Sequence, residues 1–417
     1  MKLVWLCNMI PGALAQHLGL GSGGGLWIDH VLEDIRAEDI TLRLFCPGTG
    51  DPGRLDERTD YVLFSEGAPQ VYLPQLEAQF ARELEAFRPD VIHIWGTEFG
   101  HTLAMVNAAK RTGLLDRVVV SIQGLCGIYA RHYAEGLPEW VCRRYSLRDL
   151  LKWDNIRDQK RRFAQRGELE SAALKQVRHI LGRTDWDRAI TGQLRPDRVY
   201  HFCNETLREP FYRDTWRYDR CTKHQIFASS CIYPIKGFHY LLEAMPLVLR
   251  RFPDAAITVT GSSFFSGSMS QRLRQTYYRR YLERLACERG LQDKIRFLGR
   301  LDAGQMKAAY LDANVFVLPS TIENSPNSLG EAMLLGVPCV AADVGGVRDL
   351  MHTGEGFAYQ STAPYMLAEY IMEVFDRQEQ AQEMGARARA HALQTHDPER
   401  NLKDLLKAYG SVAKGEK

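Results

Sequence analysis

The strongest chemical signal in the chain is the run VFVLPSTIENSPNSLGE, residues 315–331. Its apolar start, 315–318, reads as a buried strand. Pro319-Ser320 ends it, a loop rich in Asn, Ser and Pro follows, and a helix is expected from about Ser328. Two carboxylates flank the turn, Glu323 in the loop and Glu331 in the first turn of the helix. The backbone N–H groups around Asn327, Ser328 and Leu329 lack acceptors within such a helix and form an anion site. One carboxylate beside bound hydroxyls, another beside a ribose and a phosphate between them make a coherent arrangement for a sugar nucleotide. The same residues also read as a plain helix start, with Ser328 as cap and Glu331 closing a Ser-x-x-Glu box. The two readings are compatible, because a capped N-terminus still attracts phosphate.

Other residues qualify by position. In IHIWGTEFGHTLA (92–104), Trp95 and Glu98 stand at the end of a strand, as candidates to stack on and hydrogen-bond an acceptor. The alternatives are that Trp95 seals a core and Glu98 is simply solvated. Gly19 to Gly24 formally satisfy G-x-G-x-x-G, but the first glycine comes about ten residues after the strand and the second strand ends in Cys46-Pro47 rather than an acidic residue, which argues against a dinucleotide site. Asp185-Trp186-Asp187 has the form of a metal-binding Asp-x-Asp; its place just after HILG reads instead as a helix start with Asp185 as cap. No His-x3-His pair is present, and no catalytic metal is expected. Residues 143–166 carry nine Arg or Lys against three Asp, with Trp153, Phe163 and leucines between them. They read as a solvated basic helix pair or as a contact to an anionic membrane.

These residues need a scaffold, and its pattern is regular. Apolar runs at 2–7, 41–46, 91–95, 118–122, 179–181 and 198–201 alternate with amphipathic stretches at 25–36, 76–87, 102–111 and 170–176. The rhythm restarts after residue 222, with strands expected at 225–229, 256–260, 295–298, 315–318 and 339–341. Strand followed by helix, repeatedly, means parallel sheets covered on both faces. The fold class is therefore α/β. The expected domains are 1–203 for the acceptor, a hinge at 204–222 and 223–395 for the donor, with a helix at 396–417 available to return to the first domain. Pro398 after Asp397 marks that helix's start. Ligands bind beyond the carboxyl ends of such strands.

Composition bounds the class. The chain has 417 residues, 53 basic and 51 acidic, with 45% hydrophobic and 25% charged residues, as in globular proteins. A net charge of +2 argues against a nucleic-acid binder driven by phosphate neutralisation. No apolar run reaches membrane-spanning length, and the first 25 residues make a poor signal peptide. The nine scattered cysteines fit reduced thiols. The expected location is cytoplasmic, with peripheral contact at the inner membrane face through 143–166.

Glu323-x7-Glu331 after VFVLPS, followed by EAMLLGVPCVAADVGGVRDLM, resembles glycosyltransferase family 4, retaining enzymes of GT-B architecture. The segments YPIKGFHYLLEAMPLVLRRFPDAAITVTGS and IRFLGRLDAGQMKAAYLDANVFVLPS match in order and spacing. The resemblance implies two Rossmann-like domains facing across a cleft and a nucleotide-sugar co-substrate of UDP or GDP type, with no further cofactor. It implies that Glu323 binds donor sugar hydroxyls, Glu331 the ribose and Lys236 the diphosphate. Gly345 and Gly346 would line the donor pocket, and Gly24 and Gly25 would let backbone approach the donor phosphate. Two positions depart from the family. Cys231 stands where many members carry an Arg, leaving Arg300, Arg183 or Arg208 to compensate. Gln123 stands where many carry a His, and an amide binds a hydroxyl but does not titrate. The expected activity is retaining transfer of a sugar, a hexose by preference, to a saccharide or lipid-linked hydroxyl, in surface polysaccharide or glycoconjugate assembly. A sugar-nucleotide epimerase and a non-catalytic sugar-binding protein are the alternatives.

Overall fold

Continuous apolar runs of four to seven residues form the central strands, because a parallel strand is buried on both faces. The computed structural model describes residues 1–20 and 27–415. The chain divides into two compact units. One comprises Met1–Ala130, Arg162–Arg208 and His396–Lys417; the other comprises Arg131–Arg161 and Glu209–Thr395.

The first unit is built on β1 (Lys2–Leu6), β2 (Thr41–Pro47), β3 (Gly53–Arg54), β4 (Thr59–Phe64), β5 (Val91–Trp95), β6 (Val118–Ser121), β7 (His179–Gly182) and β8 (Val199–Phe202). Their order is β3-β4-β2-β1-β5-β6-β7-β8, parallel except for β3 against β4. The helix Pro398–Lys414 packs on this sheet; the Asp397 side chain accepts the Arg400 N–H at 2.8 Å, and Pro398 occupies the first turn. Its Tyr409 hydroxyl accepts Trp5 Nε1–H at 3.0 Å and lies 2.6 Å from His93 Nδ1, whose Nε2 is 2.6 Å from Ser121 Oγ. Burial holds His93 well below its ordinary pKa, so the ring is neutral and passes one hydrogen bond on.

The second unit carries β9 (Gln225–Ala228), β10 (Ala256–Val259), β11 (Ile295–Phe297), β12 (Val315–Leu318), β13 (Cys339–Ala342) and β14 (Phe357–Tyr359). All neighbours are parallel, in the order β11-β10-β9-β12-β13-β14. That is the dinucleotide-fold order, with its switch point between β9 and β12.

Three expectations need correction. Residues Arg131–Arg161 belong to the second unit and not to a continuous first domain. The helix Leu147–Lys152 is tied there by buried Asp149, which closes a capping box with Ser146 and accepts the Tyr277 N–H at 2.6 Å. The segment expected as a hinge is largely built into that unit: the Trp216 N–H donates to Leu335 O and its Nε1–H to Ala313 O, both at 2.7 Å. At the Asp-x-Asp, Thr184 and not Asp185 is the cap, accepting the Asp187 N–H at 3.0 Å. Asp187 is fully buried and accepts the Arg183 N–H and the Tyr200 hydroxyl.

Candidate active site

The switch point of the second sheet gathers the loops that follow β9, β12 and β13. After β9, Pro234–Lys236 forms one 3₁₀ turn ended by Gly237, at φ 62°. A Cβ there would lie 1.7 Å from Pro319 O, so only glycine lets this turn rest on the turn after β12. The Thr321 N–H donates back to Ile235 O at 2.9 Å, locking the two loops together. Gly345, at φ 54°, makes the corresponding approach from the loop after β13: its Cβ would lie 1.8 Å from Glu323 O, and the Gly346 N–H donates to that oxygen at 3.1 Å.

This packing fixes the chemistry. Glu323, 6% exposed, accepts at Oε1 from Ser320 Oγ at 2.7 Å and from Lys236 Nζ at 2.6 Å. The Lys236 side chain remains 34% exposed. The carboxylate is therefore pre-oriented, and the ammonium keeps access to an incoming anion. The helix Asn327–Leu335 begins just beyond, with Pro326 at the cap position and no side-chain cap. Ser328 is not the cap, and the expected capping box does not form; its hydroxyl has been replaced in that role by nothing from Pro326, which has no side-chain acceptor. The Leu329 and Gly330 N–H groups turn back to Pro326 O, so Leu329 is not an open donor and the exposed end of the turn is at Asn327 and Ser328. Glu331 is 5% exposed, and its Oε2 lies 3.5 Å from Tyr310 OH, which also donates to Ser328 O at 2.8 Å. Tyr310 sits edge-on to Phe211 and Phe227, and that apolar wall holds Glu331 beside the helix start.

Lys236, Glu323, Gly345 and Gly346 are thus carried by loops that follow adjoining strands, and Asn327, Ser328 and Glu331 by the first turns of the helix after β12. Arg300 stands apart, exposed after the edge strand β11. Gly24 and Gly25 lie outside the described residues. Cys231 is buried, and burial pushes its thiol up to about 11, so it offers no charge to a phosphate.

Gln123, Trp95 and Glu98 belong to the first unit. Trp95 is 5% exposed and packs at 5.1 Å on Trp5 and 3.9 Å on His93, so it is a core residue and not an open stacking face. Trp95 also lines a cavity within this unit, with Ser121, Leu181, Arg183, Asn204 and Leu405. Gln123 Nε2 donates to Glu205 Oε1, and Arg183 pairs with Glu205 at 2.7 Å, both side chains nearly buried. Arg183 is therefore neutralised within this unit.

The first sheet has its own polar cluster, at its switch point between β1 and β5. Asn8 follows β1 and donates to Glu98 Oε2 at 3.3 Å; its Oδ1 lies 2.8 Å from His101 Nε2. Burial raises the Glu98 carboxyl and holds His101 down at about 3. Glu170 accepts the Cys126 and Gly127 N–H groups at 3.1 and 3.2 Å, and burial pushes it up to about 7 against those bonds. Asn8, two residues beyond β1, was not singled out in the sequence, although its place at a strand end was a usable signal. Glu170 and Glu205 had no signal, because their partners are distant in the chain.

Comparison with known proteins places this geometry. Residues 220–391 match the family model of glycosyl transferases group 1. That segment lies within the second unit. A GDP-mannose-dependent monoacylated alpha-(1-6)-phosphatidylinositol monomannoside mannosyltransferase of Corynebacterium glutamicum is 29% identical over 173 residues, 40% of this chain and 42% of that relative. A phosphatidyl-myo-inositol mannosyltransferase of Mycobacterium leprae is 28% identical over 198 residues, 47% of this chain and 48% of that relative. The chain thus spans just under half the length of these curated relatives. Among solved structures, sucrose-phosphate synthase from Thermosynechococcus elongatus superposes with a TM-score of 0.73 at 16% identity, covering 99% of each chain. HepE of Anabaena in complex with UDP and glucose gives 0.67 at 16%, covering 99% of this chain and 100% of that one. The fold is that of GT-B glycosyltransferases.

Proposed function

We propose that the protein is a retaining glycosyltransferase that moves a sugar from a nucleoside-diphosphate donor to a hydroxyl acceptor. The observation that carries this is the Lys236–Glu323 pair at the β9/β12 switch point, next to an uncapped helix start and buried Glu331. Glu323 accepts sugar hydroxyls and Glu331 the ribose hydroxyls. Lys236 leaves its carboxylate partner for the more highly charged diphosphate, and the N–H groups at Asn327 and Ser328 take up charge on the departing phosphate. No side chain of this set is placed as a nucleophile, so departure and attack occur on the same face of the sugar. The diphosphate or a neighbouring hydroxyl ligand takes the acceptor proton. The relatives that act on phosphatidylinositol derivatives support a polar or lipid-linked acceptor.

A thermal-shift screen of UDP, GDP and their sugars tests the reading, since a ligand that binds only the folded protein raises its melting temperature. One nucleoside diphosphate is expected to bind saturably. Lys236→Ala is expected to weaken it roughly 10–100-fold, the worth of a charge-assisted hydrogen bond. No response to any nucleotide, or equal affinity in the variant, removes the proposal.

We also propose peripheral membrane contact. Leu150, Leu151 (74% exposed) and Trp153 (70% exposed) project from the helix Leu147–Lys152 and its end. The helix Met269–Arg274 packs beside it and adds exposed Met269 and Leu273. Lys152, Arg272 and Arg274 lie on the same two helices, and Arg143 and Arg144 stand just before the first of them. Apolar tips within a basic rim suit an anionic bilayer. Among the described residues no helix is long and apolar enough to cross a membrane. In vesicle co-sedimentation, Leu151→Ser with Trp153→Ser is expected to reduce partition into phosphatidylglycerol vesicles at least about tenfold, given roughly 1.5–3 kcal/mol for each buried large apolar side chain. Unchanged partition would exclude this face.

A further inference from the structure

The turn before β14 and the helix Gln378–Thr395 bring two imidazoles and a carboxylate to one point of the second unit. His391 Nδ1 lies 2.9 Å from Glu355 Oε2, and His352 Nδ1 lies 3.9 Å from Glu355 Oε1. All three donor atoms fall within 4.8 Å of one another. The two rings stack, with centroids 4.3 Å apart and planes inclined by 25°. The surroundings hold this arrangement. The His352 N–H donates to Glu355 Oε2 at 2.7 Å and orients the carboxylate. Arg387, one helical turn before His391, donates from Nε to Gly354 O at 2.8 Å and fixes the turn against the helix.

We propose that His352, Glu355 and His391 bind a divalent transition-metal ion of the zinc class, which pins the turn to the helix. Two imidazole nitrogens with one carboxylate oxygen suit zinc; magnesium and calcium favour oxygen ligands. Tetrahedral bonds of about 2.0–2.1 Å place ligand atoms roughly 3.3–3.5 Å apart. The observed 2.9 Å from His391 Nδ1 to Glu355 Oε2 and 3.9 Å from His352 Nδ1 to Glu355 Oε1 lie on either side of that spacing, so a bound ion draws the three side chains towards one point. With zinc on Nδ1, the His391 ring carries its hydrogen on Nε2. Water completes the fourth position, at the side of exposed His352. The trio shares no residue with Lys236, Glu323 and Glu331, so the ion acts on structure and the proposal does not rest on the transferase reading.

The test uses untagged full-length protein, stripped with EDTA, dialysed and titrated with zinc chloride against a chromophoric chelator near neutral pH. One saturable equivalent is expected, with a rise in melting temperature that EDTA reverses. His352→Gln and His391→Gln should each weaken binding at least about tenfold, since loss of even an outer-shell partner costs 10–100-fold. His352 is exposed, so His352→Gln keeps the fold, as circular dichroism would verify. X-ray absorption at the zinc edge should report two imidazoles. Non-saturating uptake, or one equivalent bound unchanged by both substitutions, overturns the site.

Discussion

Glu323→Ala is expected to lower the turnover of sugar transfer about 10²–10³-fold, the usual cost of losing one pre-oriented polar group that acts on the reacting centre. The carboxylate is buried, aimed by Ser320 and Lys236, and carried on the switch-point loop. Its removal leaves Lys236 without its partner, but that ammonium reaches water and the fold should tolerate the change. Glu331→Ala provides the contrast. It should raise the dissociation constant for the nucleotide more than it lowers turnover, because the ribose is distant from the bond that breaks. Initial-rate kinetics with the donor found by the binding screen, alongside melting curves, separate the two effects. Wild-type turnover in a folded Glu323→Ala protein would remove this residue from the reaction.

Gly237→Ala should be among the most damaging small substitutions in the chain. The added Cβ would meet Pro319 O at 1.7 Å, in a left-handed conformation with φ 62°. Gly345→Ala meets Glu323 O at 1.8 Å, with φ 54°. The left-handed penalty alone is about 1–2 kcal/mol. Relieving a backbone clash requires the loops after β9, β12 and β13 to part, for a total of roughly 3 kcal/mol or more. Gly290→Ala is the control: its φ is 67°, and nothing lies within 4 Å of the added atom, so only the conformational penalty applies. Melting midpoints and nucleotide affinity should both fall in Gly237→Ala and Gly345→Ala, with only a small midpoint change in Gly290→Ala. Equal midpoints in all three would mean that the loops do not touch as described.

The legible parts of the fold were those written in local pattern. VFVL, CVAA and VIHIW could only be buried strands, and Asp397-Pro398 announced a helix. β4 was missed because TDYVLF opens with polar residues after a loop of similar polarity, and β14 because three residues carry no period. At the candidate site, Glu323 and Glu331 were singled out by spacing and resemblance, and Lys236 by the resemblance alone. Ser320 and Tyr310, which orient the carboxylates, were not, since their roles exist only once the loops and the aromatic wall have packed. Trp95 shows the limit most clearly: a strand-end tryptophan reads alike whether it faces a ligand or a core, and only the arrival of Trp5 and His93 against its ring decides.

The partition of the chain has a consequence for synthesis. The polypeptide changes unit at 130/131, 161/162, 208/209 and 395/396, and Tyr409, which ties Trp5 to His93, is made after every residue of the other unit. A nascent chain released before that point leaves the buried indole on β1 and the buried imidazole on β5 without their phenol. The first unit's sheet therefore waits, incomplete, for the helix Pro398–Lys414 to emerge from the ribosome, while the other unit already has every residue it needs.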